Sequence, residues 1–383
     1  MKEFFETYLT LTNQNIPAKI RYVNALFYSK NYADVIKNVE DIFAVDKSRV
    51  YLNRIAGYSS YEQGNYTAAL NYMDKLFAEL PADRILKKDY IYYARIIIKK
   101  NDNFSKMLAE LDKANNELAK TKEKNETLVK GAVKIDEEPL VAKVAELQGN
   151  VDATSKELSK AYEAYEKAIT FGDEDANLIQ EKARNHYNHR HYSDAAGDWK
   201  RLIAKGKNSE ENFLQIGKAY YQGKNFDDAE AIFNEMSEKF PNYIPGFQWA
   251  PNNASAKDPD SKLGLAKEKF AALISKAASD SVKYSVEIFD ALRYLGYNAL
   301  QADKYEEAKA YYSRMLNLDP NNKDFQIKAL SSMNTLYMTM GDYGKAVDCD
   351  NKILALDPNN GAAKANIQYI QALQSSAKPK AHP

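Results

Sequence analysis

Three histidines crowd into six residues of this chain: His186, His189 and His191. Imidazoles at i and i+3 share one side of a helix, where they can hold a divalent metal. The competing reading is packing. His186 sits at a helical position where a buried ring is expected, and the other two fall in a turn. No carboxylate or cysteine is spaced to complete a coordination sphere, so no metal and no cofactor is expected. Cys349 is the one cysteine, and a lone helical thiol reads as a small core residue rather than a nucleophile. Neither a Gly-rich phosphate loop nor a Gly-x-Ser-x-Gly elbow occurs. The acidic residues read as solvated helix faces, so an enzyme is not expected.

Composition narrows the remaining classes. The chain has 383 residues, 45% hydrophobic and 28% charged, ample for a packed core. Basic and acidic residues number 53 each, so there is no net charge and none of the basic surplus that nucleic-acid binding would demand. A single cysteine excludes an intrachain disulfide but leaves the compartment open. No apolar run reaches the length of a transmembrane segment.

The elements that must position any site are clearest at residues 210–241. Phe213, Ile216, Gly217 and Tyr220 lie on one helical face, and Ala229, Ile232, Phe233 and Met236 on a second. Gly223 and Asn225 break the pattern between them, and Pro241 ends it. Gly217 and Ala229 allow two backbones to approach while the aromatic rings fill the space around them. Such a hairpin cannot bury both faces alone and needs neighbours like itself.

These residues resemble a tetratricopeptide repeat, a helix-turn-helix unit of 34 residues. The pattern recurs. Tyr32 and Tyr66 are one period apart, as are Ala195 and Ala229. Gly57, Gly64, Ala69, Met73 and Pro81 mark residues 50–83. Leu292, Gly296, Tyr305, Ala308, Tyr312 and Pro320 mark 289–322, and Tyr337, Gly341, Tyr343, Ala346 and Pro358 mark 327–360. The resemblance implies an all-α, right-handed superhelical solenoid of antiparallel helix pairs. Residues 1–15 align with the second half of a repeat, as in a trimmed or processed fragment. Residues 16–100 form N-terminal repeats, 176–360 form C-terminal repeats, 361–374 a capping helix and 375–383 a disordered tail. In a longer repeat at 243–281, Asp258-Pro259 is expected to begin the second helix.

Residues 101–175 depart from the pattern. Heptad spacing over 101–157 predicts two long antiparallel helices, with Gly131 and Pro139 bracketing their turn. They read as a degenerate repeat with lengthened helices or as a projecting insertion, with an exposed extension near 119–137.

The resemblance also places the groove. Read onto the first helix of each repeat, its lining positions are Tyr51, Arg54, Tyr58 and Tyr61, then Lys88, Tyr92 and Arg95. Gln180, Arg184 and Tyr187 follow, then Lys218 and Tyr221, then Arg293, Tyr297 and Gln301. A cation beside a tyrosine suits an extended peptide with acidic or aromatic side chains. The same tyrosines would equally serve as ordinary packing residues with surface hydroxyls. The Lys/Asn/Arg clamp by which some members hold chaperone tails keeps Asn24 but has Ile20, Ile55, Ile85 and Asp89 at its other positions.

The expected function is therefore a non-enzymatic scaffold with a protein or peptide partner, and reversing Arg54 and Arg95 together is expected to weaken capture without loss of stability. Self-association through residues 101–157 and an RNA-binding helical repeat are the alternatives. The pattern from Asp258 to Ala266 resembles bacterial cell-envelope members, implying a periplasmic or outer-membrane-associated location, with the cytoplasm as the other possibility.

Overall fold

The computed structural model describes residues 2–128, 133–171 and 174–376. Among these, the regular elements are helices and none is a strand. The chain divides into two compact units, Met1–Leu202 and Ile203–Pro383.

The first unit opens with α1 (Lys2–Leu11) and the hairpin α2 (Ile16–Tyr28) and α3 (Tyr32–Val45). Asn15 caps α2 by accepting from the Ala18 N–H at 2.9 Å, and Pro17 follows where a missing N–H costs nothing. The next hairpin is α4 (Leu52–Glu62) with α5 (Tyr66–Glu79), again capped by an asparagine, Asn65. After α6 (Lys87–Lys100) come the two long helices, α7 (Phe104–Thr127) and α8 (Glu138–Thr170).

The helix that pairs with α6 is α8, not the adjacent α7. Lys100 bonds Glu157 at 2.7 Å, and the Lys167 ammonium lies over the Tyr90 ring. The C-terminal half of α8 buries Leu158, Ala161, Tyr165, Ala168 and Ile169 and takes the place of a second repeat helix. Its N-terminal half, with Leu140, Val144 and Leu147 half-buried and Val151 buried, carries α7. Asn125 closes that hairpin: its side-chain amide donates to the Ile135 carbonyl and accepts from the Ile135 N–H. Pro139 lies in the first turn of α8, while Gly131 falls outside the described residues. The unit ends with α9 (Ala176–Asn188) and within α10 (Tyr192–Ala204), whose residues up to Leu202 belong to it.

The second unit holds α11 (Glu210–Gln222), α12 (Phe226–Lys239), α13 (Ile244–Lys257), α14 (Lys267–Ala277), α15 (Ser285–Gln301), α16 (Tyr305–Leu318), α17 (Lys323–Met340), α18 (Tyr343–Leu356) and α19 (Gly361–Ser376). Consecutive helices pack on each other from α11 to α19. The tail from residue 377 onward lies outside the described residues.

One contact repeats through both units. Gly57 meets Met73, Gly217 meets the Phe233 ring and Gly296 meets the Tyr312 ring, with the same sixteen-residue offset each time. Each glycine lets a large buried side chain of the second helix cross close to the first helix. Ala183 and Trp199 occupy the corresponding positions of α9 and α10, and both are buried.

One expectation from the sequence is corrected here. Asp258-Pro259 does not begin a helix; α14 starts at Lys267. Asp258 instead ends α13, and its buried carboxylate accepts from the N–H groups of Leu263 and Gly264, folding 258–266 into a loop. Ser261 and Gly264 are left-handed there, at φ 54° and 66°, which no helix tolerates. Gly223 and Asn225 do lie in the break between α11 and α12, where Gly223 has a φ of −76° and the left-handed residue is Lys224, at φ 60°.

The last hairpin replaces the small-large pair with a polar one. Asn334 donates to Asp350 at 2.8 Å, and both are buried. Burial raises the Asp350 carboxyl above its ordinary value, though the Asn334 amide offsets part of the effect. A folded-state pKa above the unfolded one stabilises the fold at low pH, and that contribution is lost as pH rises through the folded pKa. Asp350→Asn keeps an acceptor for Asn334 without the buried charge. The variant is therefore expected to melt above the parent near neutral pH and to lose that advantage at about pH 4 and below, as thermal scans across pH would record.

Candidate functional site

The face proposed for binding in the first unit is made by α2, α4 and α6, with α4 touching both neighbours. Asp89 organises it. Placed in the first turn of α6, its carboxylate accepts the Leu86 N–H at 2.7 Å and so caps the helix. The same carboxylate takes a two-pronged bond from Arg54, at 2.6 and 2.7 Å, and the Tyr58 hydroxyl at 2.6 Å. Arg54 spends its remaining reach on the Arg84 carbonyl. Asp89 is completely buried and Tyr58 nearly so. Burial would lower the Arg54 pKa, but the bond to Asp89 outweighs it and raises it. Burial, then the Asp89 charge, pushes the Tyr58 phenol far above its ordinary range. Arg54 and Tyr58 are thus internal partners before they are groove residues.

Arg95 is likewise engaged. Its guanidinium grips Glu181 of α9 at 2.8 and 2.6 Å, and the Tyr165 hydroxyl joins the same carboxylate. Burial alone would raise Glu181, but the Arg95 and Tyr165 bonds hold it below the usual carboxylate range. This pair ties α6 to α9 across the inserted helices. Tyr92 donates to Glu62, stacks on Tyr58 with centroids 4.0 Å apart and takes the edge of Tyr61.

Lys88 differs from both arginines. It is exposed and has no carboxylate partner among the described residues. Its ammonium lies 5.6, 5.3 and 5.6 Å from the ring centres of Phe27, Tyr58 and Tyr92. A cavity of about 210 Å³ opens beside it, bounded by Asn24, Phe27 and Tyr28 of α2 and by Tyr51, Arg54 and Tyr58. Aromatic faces hold the cation without neutralising it, so a full positive charge faces the cavity.

The other expected groove residues do not join this site. Gln180 and Tyr187 are half-buried on α9, Tyr187 edge-on to Tyr192 and Trp199. Arg184 is exposed and without a carboxylate partner among the described residues. In the second unit, Lys218 and Tyr221 both lie against Trp249, 5.4 Å away in each case. That unit also has a cavity of about 570 Å³ walled by Phe270, Tyr294, Tyr297 and Tyr312, whose Arg293 is paired with Asp290. Sequence reasoning missed Phe27, Tyr28, Trp249 and the role of Asp89. An acidic residue three places past the N-cap Leu86 was the available signal for Asp89.

The recurring hairpins, with their glycine-to-large-residue contact, agree with comparison to known families. Family models described as tetratricopeptide repeat match residues 181–244 and 289–322. The chain carries tetratricopeptide repeats at these residues. Among curated proteins it is similar to Hsp70-Hsp90 organizing protein 3 of Arabidopsis thaliana, 24% identical over 212 residues, covering 55% of this chain and 36% of that protein. Hsp70-Hsp90 organizing protein 1 of Glycine max is 23% identical over 210 residues, 55% of this chain and 35% of that protein. The match thus spans about a third of the length of these relatives. Among solved structures, the C-terminal part of a TPR repeat-containing protein from Cytophaga hutchinsonii is 23% identical, covers 82% of this chain and 98% of that one, and has a TM-score of 0.47. Pseudomonas aeruginosa pilF is 16% identical over 59% of this repeat protein and 91% of its own chain, with a TM-score of 0.35.

Proposed function

We propose that this repeat protein is a non-enzymatic interaction scaffold whose α2–α4–α6 face captures an extended peptide bearing a carboxylate. The observation that carries this reading is Lys88, a cation held by three aromatic rings, left unneutralised and facing a cavity. A carboxylate on the ligand would pair with it, Asn24 would meet ligand backbone, and Tyr28 and Tyr51 would cover ligand side chains. The names of the curated relatives suggest chaperone assembly as the setting. The residues lining the face speak against a chaperone-tail clamp of the familiar kind, because Ile20 and Ile55 border the cavity and Asp89 is buried and fully engaged. An envelope location belongs to the same proposal and rests on the resemblance of residues 258–266. No described helix is long and apolar enough to cross a membrane.

The test is fluorescence anisotropy with labelled glutamate-rich peptides and their glutamine counterparts. Lys88→Glu should weaken the acidic peptides about tenfold or more, a charge-assisted bond contributing roughly 1.5–3 kcal/mol. The melting temperature should fall only slightly, because Lys88 has no carboxylate partner among the described residues and loses only its contacts over the Phe27, Tyr58 and Tyr92 rings, about 0.5–1 kcal/mol at an exposed site. Equal binding by parent and variant would overturn the assignment.

A second reading is favoured by the α7–α8 hairpin, which exposes Val133 at 91% and Ile135 at 50%. Self-association through this end would bury them. Light scattering of a variant with both changed to serine, showing the parent mass, would dismiss it.

A further inference from the structure

The α9–α10 turn gathers the histidines differently from their spacing in the chain. Arg190 adopts a left-handed φ of 61°, and the His191 N–H returns to the His186 carbonyl at 2.8 Å. His186 and His191 are thereby brought side by side, their ring centres 5.8 Å apart. Asp194, one helical turn beyond His191 and in the first turn of α10, comes to the same place. One nitrogen from each of these histidines and one Asp194 oxygen lie within 4.8 Å of one another. His189 is turned away, with its Nδ1 2.6 Å from the Tyr162 hydroxyl.

We propose that His186, His191 and Asp194 form a binding site for a divalent cation of borderline softness, of which Zn²⁺ and Co²⁺ are the natural probes. Two imidazoles and one carboxylate are a donor set for such ions, whereas Mg²⁺ and Ca²⁺ prefer oxygen alone. The supporting shell is built. His186 is buried with Nδ1 2.8 Å from Asp198, leaving Nε2 for a metal, and the other Asp198 oxygen is held by Lys182 at 3.1 Å. A carboxylate behind a ligand histidine fixes its ring and strengthens it as a donor. Tyr162 lies against the same ring, with centroids 3.8 Å apart. Closing to bond lengths of about 2.0–2.2 Å asks for movement of His191, half-buried, and Asp194, exposed, while His186 stays in place. The metal would staple α9 to α10 where α7 begins, for Phe104 packs edge-on to His189 and Ser105 bonds the Asn188 carbonyl.

The experiment uses the full chain, free of any affinity tag and stripped with a chelator. Zn²⁺ is titrated by calorimetry and Co²⁺ by its visible absorption. One equivalent of each should bind, with no saturable Mg²⁺ binding, and Zn²⁺ should raise the melting temperature. His191→Ala and Asp194→Asn should each weaken binding at least tenfold and abolish the thermal shift, with the metal-free circular dichroism unchanged. His382→Ala, at the chain's remaining histidine, should bind as the parent does. Absence of saturable binding, binding that both site variants leave intact, or binding that disappears with His382 would each overturn the site. Asp194 is exposed, so its variant decides the matter even if His191→Ala unfolds.

Discussion

Asp89→Ala is expected to lower the stability of the first unit by about 3–5 kcal/mol, the usual cost of removing one partner from a buried ion pair. The deletion strands the Arg54 guanidinium, removes the acceptor for the buried Tyr58 hydroxyl and uncaps α6 in a single step. At roughly 2–4 °C per kcal/mol for a unit of this size, the fall in melting temperature should exceed about 6 °C. Arg54→Glu should be as damaging, because it sets a second carboxylate against a fully buried one. The contrast is Arg95→Gln. Its pair with Glu181 has the same fork geometry, but the two side chains are 39% and 32% exposed, and such pairs contribute about 0–1 kcal/mol. Urea unfolding followed by circular dichroism separates the two cases. Equal, small losses at Asp89 and Arg95 would mean that the bridge does not hold this face together. The expectation that Arg54 and Arg95 can be reversed together at no cost to stability fails on the same ground, since one of the two arginines is structural. Loss of capture by that double variant would say nothing about the groove, which is why Lys88 is the residue to test.

What was legible in the sequence follows from how far each signal travels along the chain. The repeat register was readable because a hairpin is local. Gly217 and Phe233 sit sixteen residues apart in one unit, and their types alone announce that two helices cross closely. The positions expected to line a groove could be assigned to their helices by register, but not to their partners. That Arg54 faces a groove helix follows from register, whereas its capture by Asp89 depends on a residue 35 positions on, in the next hairpin. The same limit explains Arg95 and Glu181, 86 positions apart across the inserted helices. Local chemistry misled at one turn. A proline after aspartate suggested a helix start, yet the Asp258 side chain claimed backbone N–H groups five and six residues on and made a loop. For the histidines, i, i+3 spacing selected His186 with His189, but the chain reverses at Arg190, after His189, pairing His186 with His191 and leaving His189 to Tyr162. Asp194 was passed over because its approach depends on that reversal.

Gly217→Ala is expected to destabilise the second unit by about 1–3 kcal/mol, the range for overpacking a filled core. The sign is informative, because helix propensity alone favours alanine over glycine by about 1 kcal/mol. A methyl group at Gly217 would overlap the Phe233 ring, which is fully buried and has nowhere to retreat. A double-mutant cycle isolates the contact. Phe233→Leu alone should be destabilising through lost packing, but in its presence the added methyl finds room. The double variant should then be more stable than the sum of the single losses, by a coupling of about 0.5–3 kcal/mol. Gly296→Ala against Tyr312 should behave alike. Gly149 supplies the opposite case: it is exposed on α8, and a methyl there meets nothing within 4 Å. Gly149→Ala should gain about 0.5–1 kcal/mol from propensity alone. If Gly217→Ala stabilised the protein as Gly149→Ala does, the close crossing would not be what selects glycine at this position, and the sixteen-residue rule that relates the hairpins would lose its physical basis.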